Sequence, residues 1–246
     1  MEISVLASGS NGNCCLVEHK DVSLLLDAGK SGREINERLG RLGKYPENLT
    51  GILVTHSHHD HIAGVGVLAR RYNIPVYITK PTYDEAQFKL GNVTAKIFDR
   101  AKSFRIHDLN IKPVQTSHNV YSCGFVIREF GLFTDTGTVT KQISDIFPTL
   151  KAVVLESNHD IDMLIHGRYP PYLKQWILSD QGHLSNIAAS TLIQSRGENL
   201  ACVLLGHLSE NNNTPELAKK TFETLVHRKV VCNICSRDHE TKTWDI

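Results

Sequence analysis

What this 246-residue chain lacks narrows its class first. It has no charge excess: 27 Lys and Arg against 26 Asp and Glu give a formal net charge of +1. No global basic field announces a nucleic-acid partner, so any such partner must be held by a local patch. No apolar run approaches the ~20 residues that span a bilayer, so no membrane partner is expected. The opening "MEISVLASGSNGN" has no basic start, no long apolar core and no cleavage site, unlike a signal peptide. A cytoplasmic setting is expected, with the six cysteines reduced rather than bridged. Cys232 and Cys235 have the C-x-x-C form but lie in the apolar run "KVVCNIC", and they read as buried strand cysteines. No low-complexity stretch, internal repeat or linker is evident. The length suits one domain over 1–246.

What is present alternates between two periods. "EISVLASGSNGNCCLVEH" reads as two strands around a turn, and "VSLLLDAG" as a third, buried on both faces. Ser31 with Glu34 matches a capping box and predicts a helix over "SGREINERLGRLG". "GILVTH" reads as a strand, "IAGVGVLARRY" as a helix, "PVYIT" as a strand and "PTYDEAQFKL" as a helix with an early proline. From Ala95 to Asp135 the pattern is mostly strand. Beyond it, helices ("VTKQISDIF", "PYLKQWIL", "SNIAASTLIQS", "TPELAKKTFETLVH") alternate with strands ("AVVLES", "ACVLLGH", "KVVCNIC"). This predicts an α/β (α+β) fold with sheets packed inside and helices outside.

Polar residues recur where the apolar strands end. Asp27, His56, His118, Asp135, Glu156 and His207 each follow or close such a run. Strand ends are where α/β folds build their sites, so these six argue for one convergent cluster. The densest part is "THSHHDHIAG", with four histidines and an aspartate between His56 and His61. Neutral imidazole and carboxylate suit first-row metals. His56 and His58 can aim at one ion from a single extended turn, and Asp60 and His61 can turn toward a second. His59 is expected to point outward. His19, His107, His227 and His239 lack this context.

"HSHHDH" fits H-x-H-x-D-H, and with His118, Asp135 and His207 following in order the chain resembles the metallo-β-lactamase superfamily. The resemblance implies a four-layer αββα sandwich with two divalent metal ions: zinc, manganese or iron. It implies that one ion takes His56, His58 and His118, that the other takes Asp60, His61 and His207, and that Asp135 bridges them. The order "TDTG", "LES", "GHLSN", "LGHLS" is similar to tRNase Z and its nuclease relatives, which share a glutamate and a histidine here matched by Glu156 and His183. The His118–Asp135 and Asp135–His207 intervals are too short for a tRNA-gripping arm or a β-CASP insertion. The set "SGSNGN", "LLDAG", "THSHHDHIAG", "ESNHD", "GRYPPYLKQWILSDQGHLSN" and "LGHLSENNN" resembles the YycJ/WalJ branch, which implies 5′-to-3′ DNA exonuclease activity.

Two ions ~3.5–4 Å apart can generate a nucleophile from water and clamp a phosphodiester. Asp60, Glu156 and His183 are the catalytic candidates, with His183 protonating the leaving oxygen or steadying the phosphate. Otherwise Glu156 is an orienter of ligands and His183 a residue leading into a helix capped by Ser185. Substrate-contact candidates are Ser8 and Asn11 in a backbone loop that could cradle phosphate, His159, and Arg168 and Tyr169. The last two open a stretch that also holds Tyr172, Lys174 and Trp176, where cations could hold phosphates and aromatics stack bases. A plain amphipathic helix reads equally well there. Alternatives to the nuclease are a small-molecule phosphodiesterase or thioester hydrolase of the same fold, or a non-catalytic metal-binding regulatory protein.

Overall fold

A computed structural model describes residues 1–246, which divide into two compact units, 1–112 with 236–246 and 113–235. No helix is long and apolar enough to cross a membrane.

The first unit begins with the antiparallel strands β1 (Glu2–Ala7), β2 (Cys14–His19) and β3 (Val22–Leu26). The chain then crosses over repeatedly: α1 (Gly32–Arg41) leads to β4 (Gly51–Leu53), and α2 (His59–Ile62) and α3 (Val65–Tyr72) lead to β5 (Val76–Thr79). The helix α4 (Lys80–Leu90) leads to β6 (Ala95–Phe98). From β3 to β6 the neighbours are parallel. Ser31 caps α1 by accepting the Glu34 N–H at 3.2 Å, as the sequence predicted. Thr79 caps α4 in the same way, with Pro81 in the first turn, where a missing N–H costs nothing. Ile35, Leu39, Val65, Leu68, Ala86 and Leu90 bury the apolar faces of α1, α3 and α4 with Leu25, Ile52 and Ile78 of the sheet.

The hairpin β7 (Phe104–Ile106) and β8 (Leu109–Gln115) leads into the second unit. There β9 (Cys123–Ile127) and β10 (Phe130–Phe133) run antiparallel. Parallel pairing follows through β11 (Ala152–Glu156), β12 (Cys202–Gly206) and β13 (Val231–Ile234). The linking helices are α5 (Lys141–Ile146), α6 (Ile161–His166), α7 (Pro171–Ile177), α8 (Asn186–Arg196) and α9 (Pro215–Leu225). Thr140, Ser185 and Thr214 cap α5, α8 and α9. Ile143, Ala189, Leu192, Ile193 and Phe222 of these helices bury against Val153, Leu155, Val203 and Leu205. The sheet orders are β14-β1-β2-β3-β4-β5-β6, closed by the C-terminal β14 (Trp244–Asp245), and β13-β12-β11-β10-β9-β8-β7.

Three sequence expectations shift. The strand in "GILVTH" ends at Leu53, so His56 lies in the following loop, where Asp27 takes over the chain's hydrogen bonds. The helix α6 was not foreseen: Asp160 caps it by accepting the Met163 N–H at 3.0 Å, a signal hidden inside "ESNHD". The absence of a repeat in the sequence hides a repeated plan, since β1–β6 and β8–β13 each pass from antiparallel to parallel pairing. Of the C-x-x-C pair, Cys232 lies half-buried in β13 and Cys235 is buried just after it. Burial pushes the Cys232 thiol up to about 12 and raises Cys235 further, so neither is a ready thiolate.

Candidate metal centre

In the first unit the site grows from Asp27, directly after β3. Its φ of 60° is left-handed, an uncommon conformation for a side-chain-bearing residue. Among the seven non-glycine residues with positive φ, Lys20, His107 and Arg128 sit in strand-to-strand turns and Asn73 caps α3, leaving Asp27, Asp135 and His207 at strand ends. Backbone held in such regions clusters at functional sites. The Asp27 carboxylate accepts the Thr55 N–H and the Thr55 hydroxyl, both at 2.8 Å, and His61 Nδ1–H at 2.6 Å. The Thr55 Oγ1 in turn accepts His56 Nδ1–H at 2.9 Å. A carboxylate can only accept, so the chain of donors fixes both tautomers and makes Nε2 the nitrogen of His56 and of His61 that could hold a metal.

Asn13 supplies a second brace. Its Nδ2 donates to the Asp60 carboxylate at 3.2 Å and lies 3.0 Å from His61 Nε2. The rings of His56 and His58 lie 4.7 Å apart and those of His56 and His61 4.1 Å apart, so the three imidazoles converge. Gly29 is required here, because a Cβ would lie 1.7 Å from the Asp60 carbonyl oxygen. His59 is exposed, as expected.

The "SGSNGN" loop has a structural task. Ser8 N–H donates to the Ser236 carbonyl, Gly9 N–H to Asn13 Oδ1, Gly12 N–H to the Gly9 carbonyl and Asn13 N–H to the Asp60 carbonyl. Four amides of the presumed phosphate cradle are thus engaged within the unit. Ser8 is buried in this brace, and Asn11 stands exposed at the tip. Asp27, Thr55 and Asn13 are the working residues that the sequence reading left without a role. The "LLDAG" strand end was the one signal that could have assigned one.

In the second unit Glu156, fully buried at the end of β11, is the pivot. Its Oε1 accepts His183 Nδ1–H and His207 Nδ1–H, each at 2.7 Å. Its Oε2 accepts the Thr136 N–H at 2.9 Å and the Leu184 N–H at 3.4 Å. Burial alone would raise its pKa; the His183 charge and the two imidazole hydrogen bonds overcome this and hold it well below the usual carboxylate range. With both oxygens so engaged, Glu156 holds the two imidazoles in place, the orienting role that the sequence offered beside the catalytic one. His118 Nδ1–H donates to the Gly182 carbonyl at 3.3 Å, so Nε2 is again the nitrogen that could hold a metal.

Asp135, at φ 54°, faces these rings. Its Oδ1 lies 3.7 Å from His118 Nε2 and 3.6 Å from His207 Nε2. These separations exceed a hydrogen bond, yet an ion bonded at ~2.0–2.2 Å to nitrogen and oxygen spans them. Donor chemistry, tautomers and spacing therefore fit divalent metal ions, and Asp135, Glu156, His183 and His207 of this unit form one group that could hold such an ion.

The remaining candidates separate. His159 is only 1% exposed, with neither ring nitrogen hydrogen-bonded, and desolvation lowers its pKa to about 4. Its backbone forms an isolated bridge to Ser185, and its burial suits a supporting group of the site better than a direct substrate contact. Arg168 is exposed. The Tyr169 hydroxyl accepts from Asn211 at 3.1 Å, and the Lys174 ammonium donates to the Ile165 carbonyl at 2.7 Å, closing the end of α6. Ser185 caps α8, and His183 stands outside that helix.

Comparison with known proteins agrees with this geometry. The profile of the family described as Metallo-beta-lactamase superfamily matches residues 7–141. A Streptococcus pneumoniae protein named exodeoxyribonuclease WalJ is 40% identical over 230 residues, covering 89% of this chain and 86% of the relative. A Bacillus anthracis protein named exodeoxyribonuclease YycJ is 36% identical over 238 residues, covering 93% and 90%. The crystal structure of the metallo-β-lactamase fold protein YhfI from Bacillus subtilis superposes with a TM-score of 0.75 over 99% of both chains at 18% identity, which establishes the α/β sandwich. The chain therefore belongs to the metallo-β-lactamase superfamily and, within it, to the branch of WalJ and YycJ.

Proposed function

We propose that this chain is a metal-dependent exodeoxyribonuclease that degrades DNA from the 5′ end, with both units working as one hydrolase domain in the cytoplasm. The observation that carries the reading is the Glu156 brace. One buried carboxylate holds Nδ1 of both His183 and His207, with both rings near Asp135, an arrangement suited to metal and phosphate. The family pattern supports two divalent ions, zinc, manganese or iron. His56, His58, Asp60 and His61 of the first unit and His118, Asp135 and His207 of the second are the residues that would hold them. When bound, the ions activate water and offset the charge of a phosphodiester.

The chain's own groups do the rest. Asp27 with Thr55, and Glu156 in the other unit, keep the imidazoles in the tautomers that ligate. His183 has Nδ1–H fixed on Glu156, so a second proton on Nε2 is the one placed to reach the leaving oxygen. Arg168 is exposed and remains a candidate phosphate contact. The relatives named exodeoxyribonucleases support DNA as substrate, since identity to them extends over most of both chains.

The test is a duplex labelled at either end, with an RNA control, incubated with metal-stripped protein and zinc, manganese or iron in turn. Mononucleotides should be released from 5′ ends, and His183→Ala should reduce the release by about 10²-fold or more. Efficient cleavage of a small phosphodiester or a thioester, with no DNA degraded under any metal, would overturn the reading.

A further inference from the structure

Trp176 sits beside the reactive donors of the second unit. Its ring centroid is 5.4 Å from that of His183, edge-on at 89°, and 6.1 Å from that of His118. Neither contact is required to orient the imidazoles, because Glu156 and the Gly182 carbonyl already fix them. The apolar anchor of α7 is Ile177, which is buried, whereas Trp176 is only half-buried. Tyr172, one turn earlier on the same helix face, is 74% exposed and continues the aromatic surface away from His183.

The backbone that carries Trp176 is also held in place. Ser179 donates to the Trp176 carbonyl through its N–H at 3.0 Å and its hydroxyl at 2.7 Å, and His183 N–H donates to the Ile177 carbonyl at 3.0 Å. A Cβ on Gly182 would lie 2.3 Å from the Trp176 carbonyl oxygen and 2.2 Å from that of Ile177. Gly137, two residues after Asp135, packs as closely, since its Cβ would lie 2.4 Å from the Ser179 carbonyl oxygen. Two glycines thus clamp the turn that carries Trp176 against the segments bearing Asp135 and His183. An aromatic ring on a fixed backbone, 5.4 Å from His183, suits base stacking (successive bases in a strand lie about 3.4 Å apart).

We propose that Trp176 is the stacking platform for the terminal nucleobase of the DNA strand, seating the nucleotide about to be released. The proposal rests on the exodeoxyribonuclease reading. It also answers how a chain of near-neutral charge grips a polyanion: the base face supplies contact that a basic groove otherwise would. Stacking is tolerant of sequence because every base has a π-face, so release should show little base preference.

The test removes the ring and the base separately. Single-turnover kcat/KM is measured for wild type, Trp176→Ala and Trp176→Phe, on duplexes whose 5′-terminal nucleotide is natural or abasic, with metal content measured for each protein. On natural DNA, Trp176→Ala should lose about tenfold, mostly in KM, and Trp176→Phe much less. Wild type should lose about tenfold on abasic DNA, and Trp176→Ala little further, since its partner is already gone. Equal abasic penalties in wild type and Trp176→Ala, or a loss in Trp176→Ala that tracks lost metal, would overturn the stacking role while leaving the nuclease in place. Absence of DNA cleavage by wild type under every metal would overturn the reading beneath it.

Discussion

Asp27 and Asp135 stand at equivalent places. Each follows the strand, β3 or β10, at which its sheet changes from antiparallel to parallel pairing. Each adopts left-handed φ, 60° and 54°, and each is almost wholly buried. Yet Asp27 engages its carboxylate with Thr55 and His61, while the Asp135 Oδ1 lies 3.6–4.0 Å from three imidazoles, beyond hydrogen-bond reach. The reason is the next strand. After β4 the chain continues into Thr55 and His56, which need a brace, and Asp27 provides it. At the end of β11 the residue is itself a carboxylate, Glu156, and it, rather than Asp135, braces His183 and His207. Backbone geometry sets where a strand-end acid sits; the neighbouring strand decides which acid braces the imidazoles.

The largest expected effect breaks that contrast outright. Asp135→Ala should abolish turnover, by about 10³-fold or more, and lower bound metal while far-UV circular dichroism is unchanged. Unchanged activity with full metal content would remove Asp135 from the site. The two braces come next. Glu156→Gln and Asp27→Asn each retain shape but introduce an amide N–H₂ where an acceptor is needed, and each should cost about 10–100-fold in metal affinity or activity. Glu156→Gln should be the more severe, since it loosens two rings against Asp27's one direct imidazole, and metal titration of both variants would rank them. An equal or reversed ranking would mean that the second unit's brace is not the pivot.

The smallest effect concerns His159. Its folded pKa of about 4 lies below the unfolded value of about 6.5, so the unfolded chain takes up this proton first as pH falls. Its contribution to stability is therefore fully present above about pH 6.5 and lost progressively toward pH 4. Urea unfolding of metal-stripped protein at pH 7 and pH 5 should show His159→Phe losing less stability between the two pH values than wild type, by about 2 kcal/mol at most. No difference would mean that the ring is solvated rather than enclosed. No residue of the first unit is expected to match it, because there Thr55, Asn13 and Asp27 engage the buried imidazoles.

The sequence by itself determined the donors. H-x-H-x-D-H is readable because metal ligation demands particular side chains at short spacing, and His118, Asp135 and His207 follow apolar strands whose pattern is equally local. Helix starts at Ser31 and Ser185 were legible for the same reason, since a cap and the N–H it accepts are three residues apart. What only the tertiary structure decided was which polar groups stand behind the donors. Asp27 reaches His61 across 34 positions and Glu156 reaches His207 across 51, and His159 differs from a substrate contact only in being enclosed. A residue's type sets the hydrogen bonds it can make, but folding selects its partner, because burial drives His61, His183 and His207 onto the carboxylates the strand ends bring within 3 Å, while His159 is enclosed without one.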